Sequence, residues 1–494
     1  MIAAELALHA ADRIGLGPAP GDVEHIRSLG YEEFIERQLR PDDIPQFAGL
    51  ARRLAALSTW QMTTSELFRE YAPQAHKIAE GKPSPAERMV LRKQMQHVAR
   101  EAAVARMAQA VGSPAQLQEA MTDFWFNHFN VFARKGLDLV WVGAYEREAI
   151  RPYVFGRFET LLRATAKHPA MLFYLDNWLN TAPESAGARG RFEGINENYA
   201  REVMELHTLG VDGGYTQADV VALAHLLTGW GFTPGREAAR EARLQGRDPR
   251  SSLGGFIFDP DRHDPSAQML LGQSFDAGDA DDGEAALTML ANHPATARHI
   301  AMKLCQYFVA DKPDPALVTA LSKTFLDTGG DTAAVLRTLF LSQSFRKQTN
   351  FGTKFKTPYR FVVSAARASG AEVTNMRPLL ATLIQLGQPL YGCQTPNGYA
   401  ATEEAWLSPD ALLKRINFAV ALGAGRLPLT SADETLDDDA PKTAPTGKTT
   451  PLDSDIIIAA RGGVLAAKTR DAIATAPAPL KAGLVLGSPD FMRC

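Results

Sequence analysis

Apolar positions recur at helical spacing along most of this chain, most clearly in residues 196–230. Tyr199, Val203 and Leu206 follow one another at intervals of four and three, which predicts a helix over residues 197–209 with one apolar stripe. Gly210 comes next, where a helix turns off through a left-handed residue. Asp212-Gly213-Gly214 then reverses the chain. Thr216 and Asp219 have the spacing of a capping box, so a second helix starts near Gln217, with Val220, Leu223, Ala224 and Leu227 inward and Gly229 near its end. The predicted unit is an αα-hairpin.

The same periodicity predicts short helices over residues 2–40 and longer ones over 64–79 and 84–111, the latter rich in strong helix formers. Ser113-Pro114 reads as an N-cap followed by a first-turn proline. The helix it opens carries Leu117, Met121, Phe124, Trp125, Phe129 and Phe132 on one face, with His128 in the middle of that face. Residues 145–180, 294–309 and 331–346 are also helical, and 377–423 hold two helices around a Pro/Gly-rich loop. Strand signals are confined to the vicinity of residues 254–272, where Phe256 and Phe258 precede a His263-Asp264-Pro265 turn. The fold class is therefore mainly α: one large multi-helix domain over residues 1–427 with at most a short β-hairpin. Residues 428–455 are acidic and Pro/Thr-rich, the composition of a linker. Residues 456–494 form helices that pack back on the core. Residues 182–194, rich in Gly, Ala and Arg, connect into the hairpin and are placed where a lid would be, although a plain connector is the commoner arrangement.

Composition narrows the function classes. The 494 residues are 45% hydrophobic and 22% charged, ordinary for a globular protein, and the net charge of −4 argues against a general nucleic-acid binder. The three cysteines are widely spaced and form no CxxC pair, so neither a thiolate zinc site nor a disulfide framework is indicated. The first seventeen residues lack a basic leader and are interrupted by charges, and no apolar run is long enough for a membrane span. The default location is cytoplasmic, or exported if an upstream signal is missing from this chain. Five arginines between residues 234 and 255 form a basic patch without interleaved aromatics, which reads as a solvated helix. The acidic run 276–284 does not fit a calcium-loop register. Gly447-Lys448-Thr449 is half of a phosphate loop, with Lys442 where its first glycine belongs. HExxH, GxSxG and GxGxxG are absent, which disfavours zincin, α/β-hydrolase and Rossmann chemistry.

The candidate site residues are His128, Glu202, Glu205, His207, His225 and His263. Glu202 and Glu205 fall beside the apolar stripe of the first hairpin helix, one turn apart, and repel unless a cation or a shared proton lies between them. His207 projects from the other side of that stripe, so it needs a partner from a second element. Each residue has a blander role: solvated carboxylates for the pair, with Arg201 as counter-charge, and core positions for the histidines.

The stretch NENYAREVMELHTLGVDGGYTQADV with the following ALAHLLTGW resembles the signature of the bacterial domain of unknown function 1800 family. ADRIGLG near the start, DFWFNHF over residues 123–129, His263-Asp264-Pro265 with the LLG after it, HPATARHIAMKLCQYFV, Lys356-Thr357-Pro358 and the closing GSPDFMRC fit as well, so the likeness spans nearly the whole chain. The resemblance implies no settled activity. It implies a partner, since members commonly lie beside genes for the domain of unknown function 1501 family, a phosphatase-like group. Two functions are expected from the residues. One is a polar catalytic or ligand site inside a helical fold, with a divalent metal as the cofactor that inward Glu and His side chains would take. The alternative is a non-catalytic helical scaffold that binds the phosphatase-like partner.

Overall fold

The computed structural model describes residues 3–79, 83–232, 255–276, 278–430 and 450–494. The fold is mainly α, with two small antiparallel sheets of two strands each. In the first sheet β1 (Trp230–Phe232) pairs with β2 (Phe256–Phe258), and in the second β3 (Gln268–Leu270) pairs with β4 (Gln273–Phe275). Strand structure thus begins earlier and ends later than the alternation suggested, because three-residue strands are too short to show a period of two. The arginine patch falls outside the described residues, as do positions 431–449 of the span read as a linker. The ends of that span are held: Leu429 is buried and its carbonyl accepts from Thr374 and Asn375, and a helix has begun by Ser454. No helix among the described residues is long and apolar enough to cross a membrane.

The longest helix, Pro85–Gly112, opens on a Ser84/Glu87 capping box and forms one wall of the core. The following helix, Gln116–His128, starts two residues later than Ser113-Pro114 suggested. The Ser113 hydroxyl instead accepts from the Ala115 amide within the connecting turn. Because the 116–128 helix is buried on nearly every side, its charges are paired: Asp123 meets Arg106 at 2.7 Å, and Glu119 is gripped by Arg151 through two bonds of 2.8 and 2.9 Å. Arg106 also reaches the fully buried Glu146 at 3.2 Å, and Tyr391 donates to that same carboxylate at 2.9 Å. This network fixes the helix that delivers His128.

A second buried network joins the first helix to late segments of the chain. Asp12 lies 3.1 Å from Lys356 and 3.5 Å from Arg461, and Arg13 donates to the carbonyls of Phe308, Val309 and Asn350. The three cysteines, Cys305, Cys393 and Cys494, are all free and buried.

Candidate functional site

The hairpin forms where the apolar pattern places it, with one departure. Its first helix is α-helical over Asn198–Glu202 and then widens into a π-turn over Val203–His207. Turns of this kind occur often at functional sites. A widened turn frees carbonyls from the regular ladder, and buried carbonyls need partners. Side chains supply them here. Thr208 Oγ1 donates to the Val203 carbonyl at 2.7 Å. His299 Nε2 bonds the Leu206 carbonyl at 3.2 Å, and His128 Nε2 bonds the His207 carbonyl at 3.0 Å. Gly210 ends the element at φ 84°, and a Cβ there would lie 2.8 Å from His299 Nδ1, so this glycine is needed both for its backbone angle and for the approach of that ring.

Three imidazoles therefore gather at the end of the π-turn. The His128 ring centroid lies 6.1 Å from that of His207 and 6.1 Å from that of His299. Phe124, Trp125, Phe129 and Phe158 surround His128. Lys303, one turn beyond His299 on the helix Pro294–Phe308, adds a positive charge and makes no hydrogen bond or ion pair among the described residues. Burial and the charge of Lys303 hold His128 well below the ordinary histidine range, push His207 down to about 3 and push His299 down to about 4. Burial alone brings Lys303 down to about 8. No carboxylate among the described residues is a leading influence on any of the four groups. Two buried ring atoms, His128 Nδ1 and His207 Nε2, have no hydrogen-bond partner among the described residues.

The second hairpin helix, Gln217–Leu226, opens on the Thr216/Asp219 capping box. The second carboxylate oxygen of Asp219 accepts from the Leu271 amide at 2.7 Å, which ties the β3–β4 turn to the helix start and holds Leu271 at φ 49°. At the other end of the helix, His225 Nδ1 is bonded to Asp264 Oδ2. Asp264 is itself braced: its other oxygen accepts from the Ser266 hydroxyl at 2.6 Å and amide at 2.9 Å, and its own amide donates to Thr228 Oγ1 at 2.9 Å. Burial would raise the Asp264 carboxyl, but the Ser266 bonds and the His225 ring outweigh it and hold the group below the usual carboxylate range. His263 turns the other way. Its Nδ1 lies 3.0 Å from the Thr228 carbonyl, its ring stands edge-on to Phe258, and its buried Nε2 has no partner among the described residues.

Glu202 and Glu205 lie half-buried on a third face. Burial and the neighbouring Glu205 raise the Glu202 carboxyl above its ordinary value, against Arg201. Arg201 is engaged elsewhere, at 2.9 Å from both Glu197 and Gln217. The six sequence candidates are thus distributed rather than gathered: His128 with His207, His225 and His263 flanking Thr228, and Glu202 with Glu205. No group of three or more His, Cys, Asp or Glu side chains among the described residues is placed to hold a metal ion. Two members of the imidazole group, His299 and Lys303, escaped sequence reading. Their spacing of four on one helix was the available signal.

The loop before the hairpin is tied down. The Gly187 amide donates to the Asp261 carbonyl at 2.7 Å, the Ala182 amide donates to the Arg262 carbonyl at 2.8 Å, and Arg191 and Arg262 both lie over the Phe192 ring.

A family model described as a protein of unknown function (DUF1800) matches residues 9–493. The chain belongs to the DUF1800 family. The match takes in both histidine groups, the hairpin and the buried ion networks, so these are features of a DUF1800 chain and not of an appended module. No curated protein and no solved structure matches the chain.

Proposed function

We propose that this DUF1800 protein is an enzyme that uses His225 as a general base on water or a substrate hydroxyl, with Asp264 orienting the ring. The observation that carries this reading is the braced His225–Asp264 pair. A neutral imidazole that donates its Nδ1–H to a carboxylate presents an Nε2 lone pair for proton abstraction. Here Nε2 has no partner among the described residues, and the His225 side chain keeps 23% of its surface exposed. The Ser266 hydroxyl is committed as a donor to Asp264, so the attacking oxygen comes from water or substrate. The reaction class is hydrolysis or group transfer, and His263 positions the pair by clamping Thr228.

The test is a panel of chromogenic esters, phosphoesters and glycosides assayed with the purified protein, together with reaction of its histidines with diethylpyrocarbonate. Turnover should fall by about 10²–10⁴-fold in His225→Gln, as expected for a lost general base. Asp264→Asn should lower it as well, with the fold intact. His225 should be modified before His128 and His207. Turnover that survives His225→Gln, or inactivity across the panel with His225 no more reactive than the buried rings, overturns the proposal.

A second reading, a helical scaffold for a phosphatase-like partner protein, draws on one feature. The helices Pro409–Gly423 and Ala478–Leu486 meet so closely that a Cβ on Gly423 would lie 2.4 Å from the Gly483 nitrogen. They carry the exposed residues Leu413, Ile416, Leu480 and Leu484. Changing these four to serine should abolish co-elution with such a partner while leaving His225 chemistry intact.

A further inference from the structure

The imidazole group at the end of the π-turn has a composition that calls for a ligand. Buried polar atoms in folded proteins are almost always hydrogen-bonded, and each exception needs an account. Two exceptions occur here within one cluster, His128 Nδ1 and His207 Nε2, on side chains only 1% exposed. The ammonium of Lys303, which has no hydrogen bond or ion pair among the described residues, acts electrostatically on both rings.

The donor and acceptor roles in the cluster are partly fixed. A backbone carbonyl only accepts, so the Nε2 atoms of His128 and His299, which face carbonyls, carry their protons. A neutral His128 then has a bare lone pair at Nδ1. Burial and the lysine charge keep the ring in that neutral form. A ligand must therefore offer an O⁻ to Lys303 and an acidic O–H to His128 Nδ1. Lys303 is only partly buried, so its end of the cluster borders the surface. A cation is disfavoured by the same lysine. A fully deprotonated anion has no proton to give to the imidazole.

We propose that His128, His207 and Lys303 form a binding site for a hydrogen phosphate group, carried by inorganic phosphate or a phosphomonoester. At neutral pH inorganic phosphate bears both an ionised oxygen and a protonated one, whereas a phosphomonoester, with a second pKa of about 6, does so in its minor monoanionic form. Lys303 donates to the ionised oxygen through a charge-assisted bond. The protonated oxygen donates to His128 Nδ1, and the proton on that phosphate oxygen leaves the ring neutral. The site is separate from the His225–Asp264 pair and does not depend on the reading of that pair.

The test is a calorimetric titration and a thermal melt of the full-length protein at pH 7, with inorganic phosphate, a phosphomonoester, sulfate and chloride at matched ionic strength. Phosphate should bind and raise the melting temperature, while sulfate, which has the same shape but no proton to donate, should act no more strongly than chloride. The phosphomonoester arm tells a free-phosphate site from one that takes a substituted group, since only the latter admits the ester. In Lys303→Met phosphate affinity should fall by about tenfold or more, as expected for loss of a charge-assisted bond. That variant should melt above the wild type without ligand, because an unpaired and partly desolvated charge is gone. Equal effects of sulfate and phosphate, no phosphate effect on the wild type, or undiminished binding in Lys303→Met overturns the proposal. The sulfate comparison is made on the wild type alone, so it decides even if the variant fails to fold.

Discussion

The depressed histidines make acid stability a quantitative test of the buried cluster. His128 and His207 are almost fully buried, with Lys303 and His299 facing them from the Pro294–Phe308 helix and no carboxylate among the described residues a leading influence on either. In the unfolded chain each titrates near 6.5, whereas in the folded protein His207 falls to about 3 and His128 lies well below its ordinary value. The unfolded state therefore binds protons that the folded state refuses, so stability is full above pH 6.5 and is lost as pH falls below it. For one histidine that stays neutral when folded, the loss between pH 7 and pH 5 is about 1.9 kcal/mol. Two such groups give about 4 kcal/mol, an upper value because residual structure in the unfolded chain shares some of the burial. His207→Gln removes one titration and keeps a similar volume. Urea unfolding followed by tryptophan fluorescence at both pH values should show the variant losing about 2 kcal/mol less than the wild type over that interval. The difference of differences cancels any change in packing that is independent of pH. An equal loss in both proteins would refute the reasoning, because His207 would then be charged, or exposed, in the folded state.

Three further outcomes follow from the buried charges and caps. Arg106→Met should destabilise by about 3–5 kcal/mol in urea unfolding, since it strips a partner from Asp123 and from the fully buried Glu146. Glu202→Gln should leave stability unchanged or raise it by less than about 1 kcal/mol at pH 7, with no gain at pH 4, because the charge it removes is disfavoured by burial and by Glu205 but partly screened by solvent. A loss above about 1 kcal/mol would show that this carboxylate is paired. Asp219→Ala should cost about 2 kcal/mol, more than a cap alone, because it also frees the Leu271 amide; Thr216→Val should remove only the cap share.

The helical fold was legible because its signals are local. Caps such as Ser84/Glu87 and Thr216/Asp219 are written in four residues, and Gly210 ends its helix at the left-handed angle that its position suggested. The π-turn was not legible. It inserts one extra residue into a helix whose apolar spacing of Tyr199, Val203 and Leu206 is unchanged, and what stabilises it, the rings of His128 and His299, arrives from helices about 80 and 90 residues away in sequence. His207 still diverges from Glu202 and Glu205, because widening one turn changes the angle per residue too little to bring it round to their face. The pairing of His225 with Asp264 lay beyond reach for another reason. Asp264 sits in a turn, and turn residues carry no period that says which helix they face.

The distribution of polar groups on the hairpin has a physical logic. A single helix pair of this length cannot aim all its charged side chains at one point, since neighbours in sequence diverge around the axis. The first helix sends His207 inward to His128 and leaves Glu202 and Glu205 at the margin. The second helix sends His225 to a turn that follows β2. Each group therefore depends on a different partner element: the 116–128 and 294–308 helices for the buried imidazoles, and the 259–266 turn for the exposed pair. The buried group sets neutral imidazoles beside one cationic lysine, the arrangement proposed above to hold an anion. The His225–Asp264 pair is partly exposed and backed by a carboxylate, suited to moving a proton. Because they share only the hairpin, substitution at Lys303 acts on the first without touching an atom of the second, and Asp264→Asn does the reverse. The proposed binding and the proposed proton transfer can therefore be tested separately in one protein, and a change that alters both must act through the hairpin itself.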